Sequence, residues 1–332
     1  MTLTTRVTRA ALAAFLGGAL LLAGCASEPE APETGSGTPA EPVKFTVGTL
    51  STQDSLPLWV AERNGDFAAA GLPEVEIVTF QSAQECQVAL QTGAVDALMT
   101  DLIVASNLQA TGTPVRLATV MLGATPSEGR FAIVAAPGSG ITSLDDLKGV
   151  PVGTASATIT EYILDRLMED AGVAGADVVK EEVKKMPVRF ELLMAGQLKA
   201  AVLPEPFVSL AEQGGAIVVE GGDDIEATEN VSQSVLAVSR EYADTPGGAA
   251  SIAAVLEAWD AAVEAINADP DSFRELLVEK AGVPAALADT YKVSVYPMAV
   301  APEADRIQDV LDWMSSRGYL GGEATPEDML AE

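Results

Sequence analysis

Apolar and polar positions take turns along this chain in two periods. Residues 44–48 and 75–80 alternate as strands do, and 95–99, 115–122, 131–135, 150–153, 198–203, 216–219 and 234–239 read as further short strands. Segments with helical punctuation lie between them. Ser55, followed by Pro57, opens a predicted helix with the serine as its cap. Ser82 and Glu85 form a capping box for a helix that stops at Gly93. A helix over 102–111 closes on Gly112, and Ser143 with Asp146 caps a short helix ending at Gly149. Residues 158–171 carry Ile163, Leu164, Leu167 and Met168 on one stripe, and 189–195 predicts another helix.

Strand, helix, strand in this order predicts a mostly parallel sheet covered by helices. The series breaks at 124–129, resumes, and breaks again over 221–230, a stretch rich in Gly, Asp and Glu. After the strand at 234–239 the reading is helical: 249–267, 271–281, 284–291 and 303–317, with Gly318 as the last stop. One internal echo stands out. Gly93-Ala-Val-Asp-Ala-Leu-Met leads to Thr100 and Asp101, and Gly196-Gln-Leu-Lys-Ala-Ala-Val leads to Leu203, Pro204 and Glu205. Each is a stop glycine, a strand, and a polar group at the strand's carboxyl end. That punctuation also recurs by chance in α/β chains.

The first 25 residues follow a different rule. Arg6 and Arg9 precede an apolar run from Ala10 to Ala23, which is short for a membrane span and has the shape of a secretory leader. It ends in Leu22-Ala23-Gly24-Cys25, which resembles the bacterial lipobox, implying cleavage after residue 24 and lipidation of Cys25. A single acyl chain binds membranes only marginally, so retention rests on several. Residues 26–42 hold almost no bulky apolar side chain and read as a disordered tether. The roughly 290 residues beyond it suit one large or two modest lobes.

Composition narrows the chemistry. The chain has no histidine, which excludes Ser-His-Asp and Cys-His catalysis and histidine metal sites. With Cys25 lipidated, Cys86 is alone, so neither an intrachain disulfide nor a thiolate metal cluster forms. On a predicted helix, Cys86 reads as a small buried hydrophobe. The net charge of −29 repels nucleic acid and makes the surface soluble, but it locates no site. No cofactor or metal is expected.

Four segments, in order, resemble one family. They are the stretch from Leu58 to Leu72 with its Asn-Gly-Asp-Phe-Ala-Ala-Ala-Gly-Leu turn, Ala89-Leu-Gln-Thr-Gly-Ala-Val-Asp-Ala97, Ser143-Leu-Asp-Asp-Leu-Lys-Gly-Val-Pro-Val-Gly153, and Gly196-Gln-Leu-Lys-Ala-Ala-Val-Leu-Pro-Glu-Pro206. Together they are similar to the nitrate/sulfonate/taurine/thiamine-precursor family of ABC-transporter solute-binding proteins. Lys199 departs from the family, where an aspartate is more usual. The resemblance implies the α/β, two-lobed type II periplasmic-binding-protein fold, each lobe a mostly parallel sheet flanked by helices, with a helical C-terminal tail. It implies residues 43–125 and 234–332 as lobe 1 and 126–233 as lobe 2, with the two breaks as hinge crossings. The expected partners are a small-molecule solute, an ABC transporter permease and, through the lipid anchor, the extracytoplasmic face of the cell membrane. The protein is expected to act as a monomer.

In open α/β sheets ligands sit beyond the carboxyl ends of the strands. That rule selects Thr52, Gln53 and Asp54 after the first strand, Ser82 after the second, and Thr100 and Asp101 after the third. In the second block it selects Thr154, Ser156 and Thr158 before a helix, and Glu205 after a strand. Hydroxyls, amides and carboxylates of this kind orient a small polar solute. Several also suit plain structural work. Ser82 and Asp101 are natural helix caps, and Thr154, Ser156 and Thr158 can cap or leave free N–H groups for an anion. Glu161, in a first helical turn, complements the helix dipole. Trp59 reads as core. None of these loops carries Arg or Lys, whereas Asp54, Asp101 and Glu205 fall in them, which favours a neutral or cationic solute, such as an amine or nitrogen heterocycle, over a sulfonate or other oxyanion.

Two other readings remain open. The family's fungal relatives include a thiamine-pyrimidine synthase that consumes its own histidine; a chain without histidine cannot do this, and no nucleophile with an adjacent base is visible, so no enzyme is expected. A sensor or adhesion lipoprotein uncoupled from import fits the same sequence.

Overall fold

The computed structural model describes residues 40–123, 128, 130–223, 234–281, 289 and 291–330. The leader, Cys25, all but the last three residues of the tether, most of both chain breaks, and all but two residues of the helix expected at 284–291 lie outside them.

The strands are β1 (Phe45–Leu50), β2 (Val75–Phe80), β3 (Ala97–Asp101), β4 (Val115–Leu122), β5 (Phe131–Ala135), β6 (Pro151–Thr154), β7 (Val179–Glu182), β8 (Ala200–Pro204), β9 (Ile217–Val218) and β10 (Ser234–Ser239). They form two five-stranded sheets, in the orders β2-β1-β3-β10-β4 and β7-β6-β8-β5-β9. In the first, Val47 of β1 stands beside Ile77 on one flank and Ala97 on the other, both in parallel pairings. β10 runs against its two neighbours, with Leu236 opposite Met99 and Thr119. The second sheet repeats this plan: β6 is parallel to β7 and β8, and β5 runs against β8 and β9. In each sheet the antiparallel strand is the one that enters from the other sheet. The two glycines of the internal echo, Gly93 and Gly196, both take left-handed backbone, φ 70° and 69°, just before the matching central strands β3 and β8. That conformation suits a residue without a Cβ.

Central strands are apolar on both faces because both faces are covered by helices. Along β3, Ala97 and Met99 join one core and Leu98 the other; along β10, Leu236 and Val238 join the first, Val235 and Ala237 the second. Two elements that sequence periodicity missed are explained by position. β7, Val-Lys-Glu-Glu, is an edge strand with little buried surface and so lacks an apolar face. The helix Phe207–Gln213 follows a Pro-Glu-Pro run that reads as a loop.

The C-terminal region is helical where the sequence placed helices at 249–267, 271–281 and 303–317. A long helix, Pro246–Ala268, and a shorter one, Arg274–Lys280, are followed by non-helical chain over 291–303. The helix Ala304–Arg317 then packs Ile307, Val310 and Met314 into the same core as Leu102 and Ile103 beside the first sheet and Tyr162 and Ile163 beside the second. Trp313 meets the Tyr162 ring edge-on, with centroids 5.2 Å apart. Among the described residues no helix is long and apolar enough to cross a membrane.

Candidate functional site

The site is built from loops at the carboxyl ends of strands, and the first to consider follows β1. Ser55 does not cap the helix Leu56–Asn64; its hydroxyl donates to the Leu50 carbonyl, 3.0 Å away, and folds the loop back on its own strand. This buries Thr52 and Gln53. Gln53 is then held from outside the loop. Its Oε1 accepts from the Tyr291 hydroxyl at 2.8 Å and from Ser294 Oγ at 3.0 Å, and its carbonyl accepts from the Tyr296 hydroxyl at 2.7 Å. The helix Pro246–Ala268 grips the segment that delivers these tyrosines. Trp259 Nε1 donates to the Pro297 carbonyl, and Asn267 both donates to and accepts from the Tyr296 backbone.

Asp54 follows. Its Oδ2 accepts from Ser234 Oγ at 2.8 Å, while its Oδ1 is out of solvent. Burial raises its carboxyl above the usual range. Asp101, at the end of β3, does double work. Oδ1 accepts from Val104 N at 2.8 Å and caps its own helix, Leu102–Ala110. Oδ2 accepts, at 3.1 Å, from the backbone N–H of Ile159, the first residue of the helix Ile159–Asp170 beside the other sheet. Burial pushes its carboxyl up to about 6; its backbone donors oppose this and the nearby charge of Asp54 adds to it.

From the second sheet comes Glu205, which accepts from Ser209 N and Oγ at 3.1 and 3.0 Å and lies 3.4 Å from Arg130 Nη1. Burial raises its carboxyl too. Arg130, on the chain entering β5, is shared among Glu205, Glu212 and Asp223. Burial opposes its charge, but Glu212 and its neighbours more than offset that. Tyr291 and Tyr296 are held well above the usual phenol range by burial first, with Asp54 acting on both and Glu205 on Tyr291. Asp54, Asp101, Glu205 and both tyrosines therefore share one electrostatic neighbourhood.

The other sequence candidates divide. Thr52 and Thr100 are buried, and among the described residues Thr100 Oγ1 has no hydrogen-bond partner. Ser82 accepts from Glu85 N and works as a cap. Thr154 and Thr158 are both tied to Thr160 Oγ1 at 3.0 Å, and Thr158 also donates to the Ala155 carbonyl, so neither hydroxyl caps the helix. Ser156 is exposed and bound to Glu182. Trp59 lies in the core, and Cys86 is buried with its thiol pushed up to about 12 by burial, as an inert hydrophobe should be.

Sequence reasoning missed Tyr291, Tyr296, Ser234 and Arg130. One signal was there: two of the chain's five tyrosines fall within six residues, with Ser294 between them and a proline after.

The profile of the family described as NMT1/THI5 like matches residues 52–272. The chain belongs to that family. No curated protein matches it. Among solved structures, the chain is similar to the periplasmic aliphatic sulphonate binding protein SsuA from Escherichia coli, at 20% identity and a TM-score of 0.72 over 88% of this chain and 93% of that one. It is also similar to the alkanesulfonate-binding protein SsuA from Xanthomonas axonopodis pv. citri bound to MOPS, at 18% identity and a TM-score of 0.73 over 88% and 99%. A third is the periplasmic nitrate-binding protein NrtA from Synechocystis PCC 6803, at 14% identity and a TM-score of 0.67 over 87% and 86%. At these identities the likeness establishes the fold: this NMT1/THI5-like chain has the two-lobed architecture of periplasmic binding proteins.

Proposed function

We propose that this protein is the extracytoplasmic solute-binding component of an ABC importer, capturing a small polar neutral or cationic molecule between its two sheets. Lobe 1 comprises residues 43–125 and 234–332, lobe 2 comprises 126–233, and Cys25 carries the lipid that holds a monomer at the membrane. The observation that carries the reading is that polar strand-end groups join the two sheets: Asp101 Oδ2 of the first accepts from Ile159 N beside the second at 3.1 Å, while Tyr291 and Tyr296 hold Gln53 next to Asp54. These groups supply carboxylates and hydroxyls at the carboxyl ends of strands, where such folds bind ligands. The similarity to sulfonate- and nitrate-binding proteins makes an oxyanion the rival solute, and the carboxylates of Asp54, Asp101 and Glu205 argue against it.

Native mass spectrometry of the protein taken from its host membranes tests this reading. The expected result is a bound amine or nitrogen heterocycle, lost in Asp54→Ala. A bound alkylsulfonate indifferent to that substitution would overturn the solute class. Cys25→Ser should move the protein from the membrane fraction to the medium.

A further inference from the structure

The chain passes between the two sheets twice, from β4 to β5 and from β9 to β10. These crossings tie the β10-β4 side of the first sheet to the β5-β9 side of the second. The opposite edges, β2 and β7, are not joined by the chain, yet the segments that follow them touch. Met186 N, at the start of the helix Met186–Met194, donates to the Gln81 carbonyl at 3.3 Å. Lys185 Nζ stands 2.9 Å from Glu85 Oε1 and donates to Gln81 Oε1 at 3.2 Å. Glu85 is itself held, since its Oε2 accepts from Gln81 N at 3.0 Å. Lys185 first, and that backbone donor after it, keep the Glu85 carboxyl below its usual range.

Two other contacts join the sheets, and both are made by buried carboxylates. One is the bond from Ile159 N to Asp101. The other is made by the helix Ala304–Arg317, which rests on the helix Leu102–Ala110 and reaches the helix Ile159–Asp170. Trp313 Nε1 and Arg317 Nη2 meet Asp165 Oδ2 at 3.3 and 3.0 Å, and the Tyr319 hydroxyl donates to Glu161 Oε1 at 2.8 Å. Drawing a buried carboxylate off its partners leaves charge unpaired out of water. The side chains of Lys185 and Glu85 are 47% and 39% exposed, so they part into water at little cost. The weakest contact between the sheets thus lies at the edges remote from the crossings.

We infer that Lys185, Glu85 and Gln81 form a latch at which the two sheets part, while the crossings and the helix Ala304–Arg317 remain as the joint. Parting begins where an exposed ion pair and two hydrogen bonds give way, before the buried Asp165 and Glu161 network is disturbed. The latch is ionic, so its hold weakens with salt and reverses with the sign of either charge. This inference goes beyond the proposed function and needs no solute.

Pulsed dipolar spectroscopy of nitroxides attached at Val88→Cys and Val188→Cys tests it in the full chain, with Cys25→Ser removing the other accessible thiol. Both positions are exposed, one on the helix Ala83–Gln91 and one on the helix Met186–Met194. Cys86 is buried with its thiol pushed up to about 12, and it stays unlabelled. With the latch intact, a short distance should dominate. Lys185→Glu should raise the population at a longer distance roughly fivefold or more, and about 1 M salt should raise it in the unaltered latch. Adding Glu85→Lys to Lys185→Glu restores opposite charges and should bring the short distance back. Lys44→Met, which removes an exposed cation paired within the first sheet with Glu74 and Glu76, should change nothing. Circular dichroism checks folding; if Lys185→Glu unfolds, Lys185→Met makes the same test. An unchanged distance in a folded Lys185 variant, or no recovery in the folded charge-reversed pair, would overturn the latch. Either result leaves the solute-binding reading standing, and a native protein that carries no solute from its host counts against that reading alone.

Discussion

The carboxylate of Asp101 and the backbone nitrogen of Ile159 stand 3.1 Å apart, although one ends a strand of the first sheet and the other begins a helix beside the second. Fifty-eight residues separate them in sequence. One short side chain thus caps two helices at once and ties the loop ends of the two sheets together.

This double cap is pH-dependent. The folded protein holds the Asp101 proton up to about 6, against a usual value of 3.8, so its contribution to stability is complete below about pH 4 and is lost as pH rises through 6. The loss for this group is about 3 kcal/mol. Urea unfolding of the wild type and Asp101→Asn at pH 4, 5, 6 and 7 checks it. The stability of the wild type relative to the variant should fall by about that amount across the series, and a flat difference would contradict it. Glu205, also raised by burial, cancels in the comparison.

Tyr296 supports the loop after β1 through a single bond from its hydroxyl to the Gln53 carbonyl. Tyr296→Phe keeps the ring and leaves that buried acceptor without its donor, at a cost of about 1–2 kcal/mol. Because Gln53 adjoins Asp54, solute affinity should fall along with stability, which a thermal-shift titration with the co-purified solute measures. Unchanged affinity in a destabilised variant would confine Tyr296 to structure.

Lys180 bridges Glu161 and Asp165 at 2.6 and 2.7 Å, and both carboxylates are buried. Asp165 also pairs with Arg317 and accepts from the Trp313 indole, so the helix Ala304–Arg317 is part of the network. Lys180→Met removes one cation from two buried anions and should destabilise the protein by about 3 kcal/mol. Equilibrium unfolding reads it, and a change of a few tenths would mean that Arg317 and Tyr319 suffice.

Arg189 is 1% exposed and has carbonyls where a carboxylate would be expected. It donates to Val183 O through Nε and Nη2 and to Val202 O through Nη1, and burial pushes its guanidinium down to about 10. Arg189→Lys retains the charge but not the planar fork that joins β8 to the chain after β7. A loss of about 2 kcal/mol in unfolding free energy is expected, and full stability of the lysine variant would show that charge alone is needed.

Much of this fold was legible in the sequence. β2, β4, β5 and β10 lie where residues 75–80, 115–122, 131–135 and 234–239 place them, β5 and β10 because strands buried on both faces are continuously apolar and β2 because its residues alternate. The edge strand β7 was not legible, since only Val179 of its four residues is apolar and none is buried. Asp101 was readable as a cap, and the cap exists.

The sequence by itself determined the order of strands and helices, the glycine stops, and which polar residues stand at strand ends. These are local matters of periodicity and backbone geometry. Only the tertiary structure decided how those residues are used. It brought Tyr291 and Tyr296 back onto Gln53 from more than two hundred residues away, and it set Asp101, Glu161 and Glu182 around one loop. Hydrogen bonds and charges act through space at a few ångströms, so the role of a carboxylate depends on which chain segments packing places beside it, and that arrangement has no signature in local sequence.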